Sequence, residues 1–274
     1  MSNNTRYTMG SGKKNYILPE GTNIFVSPEE AERIRKEIEG REWEPPKPKA
    51  EEKREPNNSE FQNPNIDAEY FIPVPGTDYA VSRFEMPNQN GINFNSTNWD
   101  DEHAKLAELG LEMPPTRIFM PYARHVISTF TKRKPLLDAR GKPISRDEHE
   151  KIVRHLTEAF HQVYTPRTNE GAWTWLNDLF EQDANGLWTL AHGKIVDGSL
   201  EFEKEDLEDN LRKDCYFDFN ELNSQGFPTK EKGTSYKKRE NMRFWKQVNG
   251  TVARFVAGSA WAGLYCNGDR SDSG

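Results

Sequence analysis

Cysteine is scarce in this sequence: there are two, Cys215 and Cys266, far apart in the chain. No disulfide framework and no zinc-ligand spacing can be built from such a pair. Each reads as a small buried thiol, with a single bridge between them as the alternative. Long apolar runs are missing too. No stretch is long enough to span a bilayer, and Met1-Ser-Asn-Asn-Thr-Arg6 leads into no apolar core of signal-peptide type. The expectation is a chain made in soluble form, with any route to a virion or cell surface running through a larger assembly. Basic residues are not in excess: the net charge is −7, which argues against nucleic acid as the main partner. The runs Lys132-Arg-Lys134 and Lys237-Lys-Arg239 are short and read as solvated. Hydrophobic residues make up only 34% of the chain against 30% charged, which favours one folded domain plus a solvated appendage over two full cores.

Aromatic residues are well supplied, at 11% with seven tryptophans, enough for a sizeable core. Residues 1–62 read as a charged, Pro-rich arm. Glu42 to Glu60 is dense in Glu, Lys, Arg and Pro, the composition of an extended linker that cannot bury itself. Residues 63–274 are the expected folded domain. Tyr70–Val74 and Tyr79–Phe84 read as short strands around Pro75-Gly76. Asp100 or Asp101 is expected to cap a short helix over Ala104–Leu109 that ends at Gly110. Ile118–Met120 offers a strand, and Val126–Phe130 a strand or short helix. Ser145-Arg-Asp-Glu148 is a capping box opening a helix with Ile152, Leu156, Phe160 and Val163 on one face. The spacing predicts a second helix over 171–181 and a short charged one over 203–213. Between them Asp183-Ala-Asn-Gly186 turns into a strand over Leu187–Leu190, and Cys215–Phe219 reads as a strand. Strands at both ends with helices between them spell an α+β fold.

Several catalytic and metal patterns fail on spacing. Glu181, Asp183, Asn185 and Gly186 fall at calcium-loop positions, but position twelve is His192 where a bidentate Glu is required. His149-Glu150 lacks a second His four residues on, since the next is His155. Glu158-Ala-Phe-His161 has no second copy to complete a di-iron site. There is no Gly-x-Ser-x-Gly elbow and no Gly-rich phosphate loop after a strand. No metal and no cofactor is expected.

From Leu264 to Asn267 the sequence alternates: Leu264 and Cys266 inward, Tyr265 and Asn267 outward, as in a strand with one covered face. The same parity puts Phe255, Ala257 and Ser259 on one side and Val256, Gly258 and Ala260 on the other. Around them gather Trp, Tyr, Ser, Gly, Asn and Asp, the side chains that binding loops favour. The run Ala253-Arg-Phe-Val-Ala-Gly-Ser-Ala-Trp-Ala-Gly-Leu-Tyr-Cys-Asn-Gly-Asp269, preceded by Glu240-Asn-Met-Arg-Phe-Trp-Lys246, resembles the variable region of target proteins of diversity-generating retroelements. It is closest to the archaeal and archaeal-virus kind. The family's pattern continues into a closing strand with a Leu-Gly-Val-Arg-like run, which this sequence does not contain.

The resemblance implies a C-type-lectin-like domain, related to the formylglycine-generating enzyme family, with two helices flanking a small antiparallel sheet and long loops over its open end. It places a variable region at about 241–274, where an error-prone reverse transcriptase rewrites adenine-templated codons. Parity and the family's pattern together nominate Val256, Gly258, Ala260, Trp261, Gly263, Tyr265, Asn267, Asp269, Arg270 and Asp272 as outward, changeable ligand contacts. Phe255, Ala257, Leu264 and Cys266 are the expected fixed partners beneath them. The function implied is non-enzymatic: binding of a protein or glycan ligand on a cell or host surface, with an oligomer left open. Two other readings stand beside it. One is a structural virion or assembly protein with an incidental C-terminal loop. The other is a formylglycine-generating-type oxidase, for which Cys266 would need a metal-sharing partner that the sequence does not supply nearby.

Overall fold

The computed structural model describes residues 68–84, 88–89, 92–93, 97–158, 170–258 and 260–272. The expected arm over 1–62 lies outside them, as do Phe160, His161, Val163 and Ser259. In chain order the elements are β1 (Phe71–Pro73), β2 (Ala80–Ser82), β3 (Asn88–Gln89), β4 (Ile92–Asn93), α1 (Trp99–Glu108), α2 (Thr116–Thr131) and α3 (Arg146–Thr157). They are followed by β5 (Glu170–Gln182), β6 (Trp188–Val196), β7 (Ser199–Asp206), β8 (Cys215–Phe217), β9 (Met242–Trp245), β10 (Thr251–Gly258) and β11 (Ala262–Gly268). Seven of the strands form one sheet in the order β7-β6-β5-β10-β11-β9-β8, antiparallel except where β11 runs parallel to β9. The chain is thus a mixed helix-and-strand protein built on a mostly antiparallel sheet.

Local chemistry accounts for the elements that the sequence announces. The Ser145 hydroxyl accepts a bond from the Glu148 amide at 3.2 Å and starts α3, which buries Ile152, Val153 and Leu156. The Asp183-to-Gly186 turn closes the β5–β6 hairpin, with Gly186 at φ +84° and the Asp183 amide bonded to the Leu187 carbonyl. At α1 the cap is Asn98, whose side chain accepts from the Asp101 amide at 2.9 Å, rather than either aspartate. Asp100, Asp101 and Glu102 instead occupy its first turn, where acidic side chains suit the helix dipole.

Three expectations are overturned. Ile118–Met120 forms no strand: with Val126–Phe130, for which a helix is one of the two readings, it lies in the sixteen-residue helix α2, with Pro121 inside it. Proline forfeits a helical hydrogen bond, and burial of ten of the residues in α2 outweighs that cost. The helix expected over 171–181 is the long strand β5. Ala172, Leu176 and Phe180 recur every fourth residue, a spacing that satisfies a helix face and one face of a strand alike. What decides is Trp173, Trp175 and Leu179, which pack on the opposite face of the sheet. Of the helix expected over 203–213, residues 203–206 are the end of β7 and 207–213 form neither helix nor strand. Asp197 and Gly198, at φ +50° and +79°, make the tight turn of a β6–β7 hairpin paired from Val196↔Ser199 to Thr189↔Asp206.

The sheet separates two clusters. On one face α2 and α3 cover Leu176, Phe180, Ala253, Phe255, Ala257, Leu264, Cys266, Met242, Phe244 and Phe217 in the main core. On the other face α1 covers only the β6–β5–β10 end, where Trp99, Leu106 and Met113 meet Trp175, Leu179, Ala191 and Val252. Both cysteines are buried free thiols, so the bridge between them is not formed. Among the described residues no helix is long and apolar enough to cross a membrane.

Candidate functional site

Beyond α1 no helix among the described residues lies on the second face, where the strands align two rows of residues. The first row runs Tyr216, Arg243, Gly263, Val256, Trp173 through successive pairs from β8 to β5. The second runs Trp245, Tyr265, Arg254, Trp175. Tyr265 stacks on Trp245 with ring centres 3.6 Å apart and planes 15° apart, a pairing allowed because they are direct cross-strand partners. Trp261, from the β10–β11 turn, meets Trp245 at 5.1 Å and Tyr265 at 5.3 Å. Arg254 lies over Tyr265, Trp173 and Trp175 at 5.3 to 5.9 Å, and Arg243 lies over Tyr216 and Trp245. Tyr216, Arg243, Trp173, Trp245, Tyr265, Arg254 and Trp261 are half-buried, while Trp175, Val256 and Gly263 are buried. Burial pushes the Tyr265 hydroxyl up to about 12 against the pull of Arg254 and Arg243, so it stays a neutral donor.

The alternation expected along β11 is met. Phe255, Ala257, Leu264 and Cys266 are all 0% exposed, while Tyr265 is half-exposed and Asn267 exposed. Ala260 and Asp269 are exposed as well, and Trp261 is half-exposed. Three of the outward expectations are corrected. Val256 is only 7% exposed, since it lies flat in its row between Gly263 and Trp173. Gly258 is buried at the turn, its amide bonded to the Trp261 carbonyl at 2.7 Å. Gly263 is buried against β9, where a Cβ would stand 2.0 Å from the Arg243 carbonyl oxygen.

The terminal segment is partly a clasp. Arg270 donates Nε–H to Asp100 Oδ1 at 2.6 Å and lies 5.3 Å from the rings of both Trp99 and Phe202. Its carbonyl accepts from the Trp99 amide. Asp272 pairs with Arg254 at 3.3 Å, and Asp269 folds back on Ser271, whose amide and hydroxyl hold its carboxyl below the usual range. Arg270 is therefore scaffold. A double-mutant cycle on Arg270→Ala and Asp100→Ala should give a coupling of about 1 kcal/mol, read by urea unfolding. The value is held low because the two side chains are 35% and 46% exposed.

Tyr216, Arg243, Trp245, Arg254 and Trp173 were not among the expected contacts. The signal was present: Met242 and Phe244 inward, Arg243 and Trp245 outward, is the same period of two read one strand earlier.

His149 Nε2 lies 2.9 Å from the Val126 carbonyl with its ring edge-on to Phe130, and His155 packs edge-on to Phe84, both as core histidines. Among the described residues no group of three or more His, Cys, Asp or Glu side chains is placed to hold a metal ion. A partly buried polar cluster joins Asp178, His192, Glu205, Arg117 and Thr116, and it ties α2 to β5, β6 and β7. Its threonine hydroxyl bonds to Asp178 and not to the imidazole, so no activated nucleophile is assembled.

No protein-family model matches this chain, and comparison with curated proteins and with solved structures finds no match.

Proposed function

We propose that the chain is a non-enzymatic ligand-binding protein and that the uncovered face of β10, β11, β9 and β8, with the β10–β11 turn, is its recognition surface. In this reading the domain is C-type-lectin-like and the surface is the variable region of a retroelement-diversified target protein. Its ligand is a protein or glycan on a cell or host surface. The observation that carries it is the partition within β11. Leu264 and Cys266 are sealed in the core while Tyr265 and Asn267 stand outside, on a face that no helix among the described residues covers. Exposed exchanges usually change stability by about ±0.5 kcal/mol, whereas emptying a core position costs about 2–5. Specificity can therefore be rewritten on the outer set without refolding. The surface also has the composition of binding hot spots, Trp, Tyr and Arg packed together. Burial supports the non-enzymatic reading: Cys266 is 0% exposed, and desolvation followed by the nearby Asp178 charge pushes its thiol well up, so it stays protonated.

On this reading the changeable set is centred on Ala260, Trp261, Tyr265, Asn267 and Asp269, with Asp272 set aside because it pairs with Arg254. The test is genomic. A near-copy of the gene's 3′ end should lie close to it, beside a reverse transcriptase, differing only where the copy has adenine. Those adenines should fall in the codons of these five residues and spare Phe255, Ala257, Gly263, Leu264 and Cys266. Differences scattered over the inner codons, or no such copy, would count against the retroelement. At the protein level, Trp261→Ala with Tyr265→Ala should leave a folded chain, at a cost of about 1–2 kcal/mol for the lost ring contacts. It should abolish binding in a direct titration with the cognate ligand. Undiminished binding would remove this face from consideration.

A further inference from the structure

Arg243 differs from the other arginines of the recognition surface in having no anion. Arg254 reaches Asp272 and Arg270 reaches Asp100, but among the described residues no carboxylate pairs with Arg243. Its guanidinium is held by rings instead, 5.1 Å from the Tyr216 centroid and 5.2 Å from that of Trp245. Its Nε–H is buried without an acceptor. Aromatic contacts of this kind engage the flat faces of a guanidinium, and the free donors are those on its edge, in plane. Such a fork matches a carboxylate, which accepts two parallel N–H bonds. A half-buried cation with ordered walls and no counter-ion is a place prepared for one.

The surrounding rings indicate what carries that carboxylate. Tyr265 stacks on Trp245, Arg243 also lies over the Trp245 ring, and Trp261 meets Trp245 at 70°. Tyr265 and Trp245 thus each spend one ring face on the other. A sugar needs an open aromatic face to lie on, whereas protein side chains pack readily against ring edges. We propose that the partner is a protein that presents an aspartate or glutamate side chain to Arg243, with apolar neighbours against the edges of Trp245, Tyr265 and Trp261. The proposal rests on the recognition-surface reading and names its partner class. The chain carries a net charge of −7, so the positive charge here is local, and it fixes the register of an acidic partner more than it adds bulk attraction.

The probe is a random peptide library displayed on phage and panned on the full-length chain, with a glycan array run beside it. Selected peptides should carry Asp or Glu next to apolar residues. They should bind Arg243→Gln roughly tenfold more weakly than wild type, recover in part with Arg243→Lys, and weaken as salt rises. Thermal melting of Arg243→Gln checks that the fold is kept. Peptides that need Trp261 and Tyr265 but ignore Arg243 would overturn the acidic-partner proposal and leave the recognition surface standing. Peptides indifferent to Trp261 and Tyr265 would overturn the surface reading itself. Arg243-dependent binding of acidic glycans with no peptide binding, or no binding of any kind, would overturn the protein partner.

Discussion

Gly263→Ala is expected to cost about 3–5 kcal/mol, roughly a fifth or more of what holds a typical domain together. The added Cβ would stand 2.0 Å from the Arg243 carbonyl oxygen, 2.7 Å from its carbonyl carbon and 3.0 Å from its Cα. All three are backbone atoms of the paired strand, so no rotamer change relieves the clash. β11 is also held on its other side by β10, where Gly263 pairs with Val256. Relief therefore requires β9 and β11 to part, which breaks the parallel pairing that brings Trp245 beside Tyr265. Urea unfolding should show the lowered midpoint, and the near-ultraviolet signal of the stacked pair should fall with it. Gly250→Ala is the control. It has φ +78° and nothing within 4 Å of a Cβ, so its cost is backbone strain of about 1 kcal/mol. A wild-type midpoint in Gly263→Ala would mean that β9 and β11 yield freely, and the argument for a fixed glycine inside a changeable surface would go with it.

Gly263 also shows where sequence reading stops. Parity along β11 correctly sorted Leu264 and Cys266 from Tyr265 and Asn267, because a period of two is written in the residues themselves. Parity says which face a residue points to and not what lies over that face. Val256, Gly258 and Gly263 point away from the main core and are buried all the same, by neighbours on the adjacent strands or across a turn. Arg270 looked like a free terminal contact, and it is a clasp only because α1 sits 170 residues earlier in the chain. The β5 error has a similar root. Apolar residues four apart satisfy both periodicities, and only the residues between them settle the matter. The β7 error was avoidable, since Asp197-Gly198 is a strong hairpin turn in its own right.

Rising pH should weaken the protein between about 6.5 and 9, and Asp178→Asn should remove most of that dependence. His192 Nδ1 lies 2.8 Å from the Asn177 carbonyl and 3.2 Å from Asp178 Oδ1, two acceptors that fix a proton there. Nε2 lies 2.9 Å from Glu205 Oε1 and 2.7 Å from Arg117 Nη2, one acceptor and one donor, so the titrating proton is on this nitrogen. Burial opposes the charged ring, yet the bond and charge of Asp178, the bond to Glu205 and the Asn177 carbonyl outweigh it and hold the imidazole at about 9. A raised folded value contributes stability that is fully present below the unfolded value near 6.5 and lost as pH climbs through the folded one. The full shift corresponds to roughly 3 kcal/mol. The observed loss should be nearer 2 kcal/mol, because the neutral ring can accept from Arg117 once its proton has gone. In Asp178→Asn the largest support for the imidazolium disappears, and so should the slope. That variant should also be less stable by about 3 kcal/mol below pH 6.5, since Asp178 is 1% exposed and takes both the amide and the hydroxyl of Thr116. Urea midpoints at several pH values for both proteins separate the two effects, because tyrosines and thiols titrate alike in each. A flat wild-type profile across this window would mean a ring that stays neutral and is held by Arg117. The join between α2 and the sheet would then rest on Thr116 with Asp178 and on Arg117 with His192 and Glu205, with no imidazolium in it.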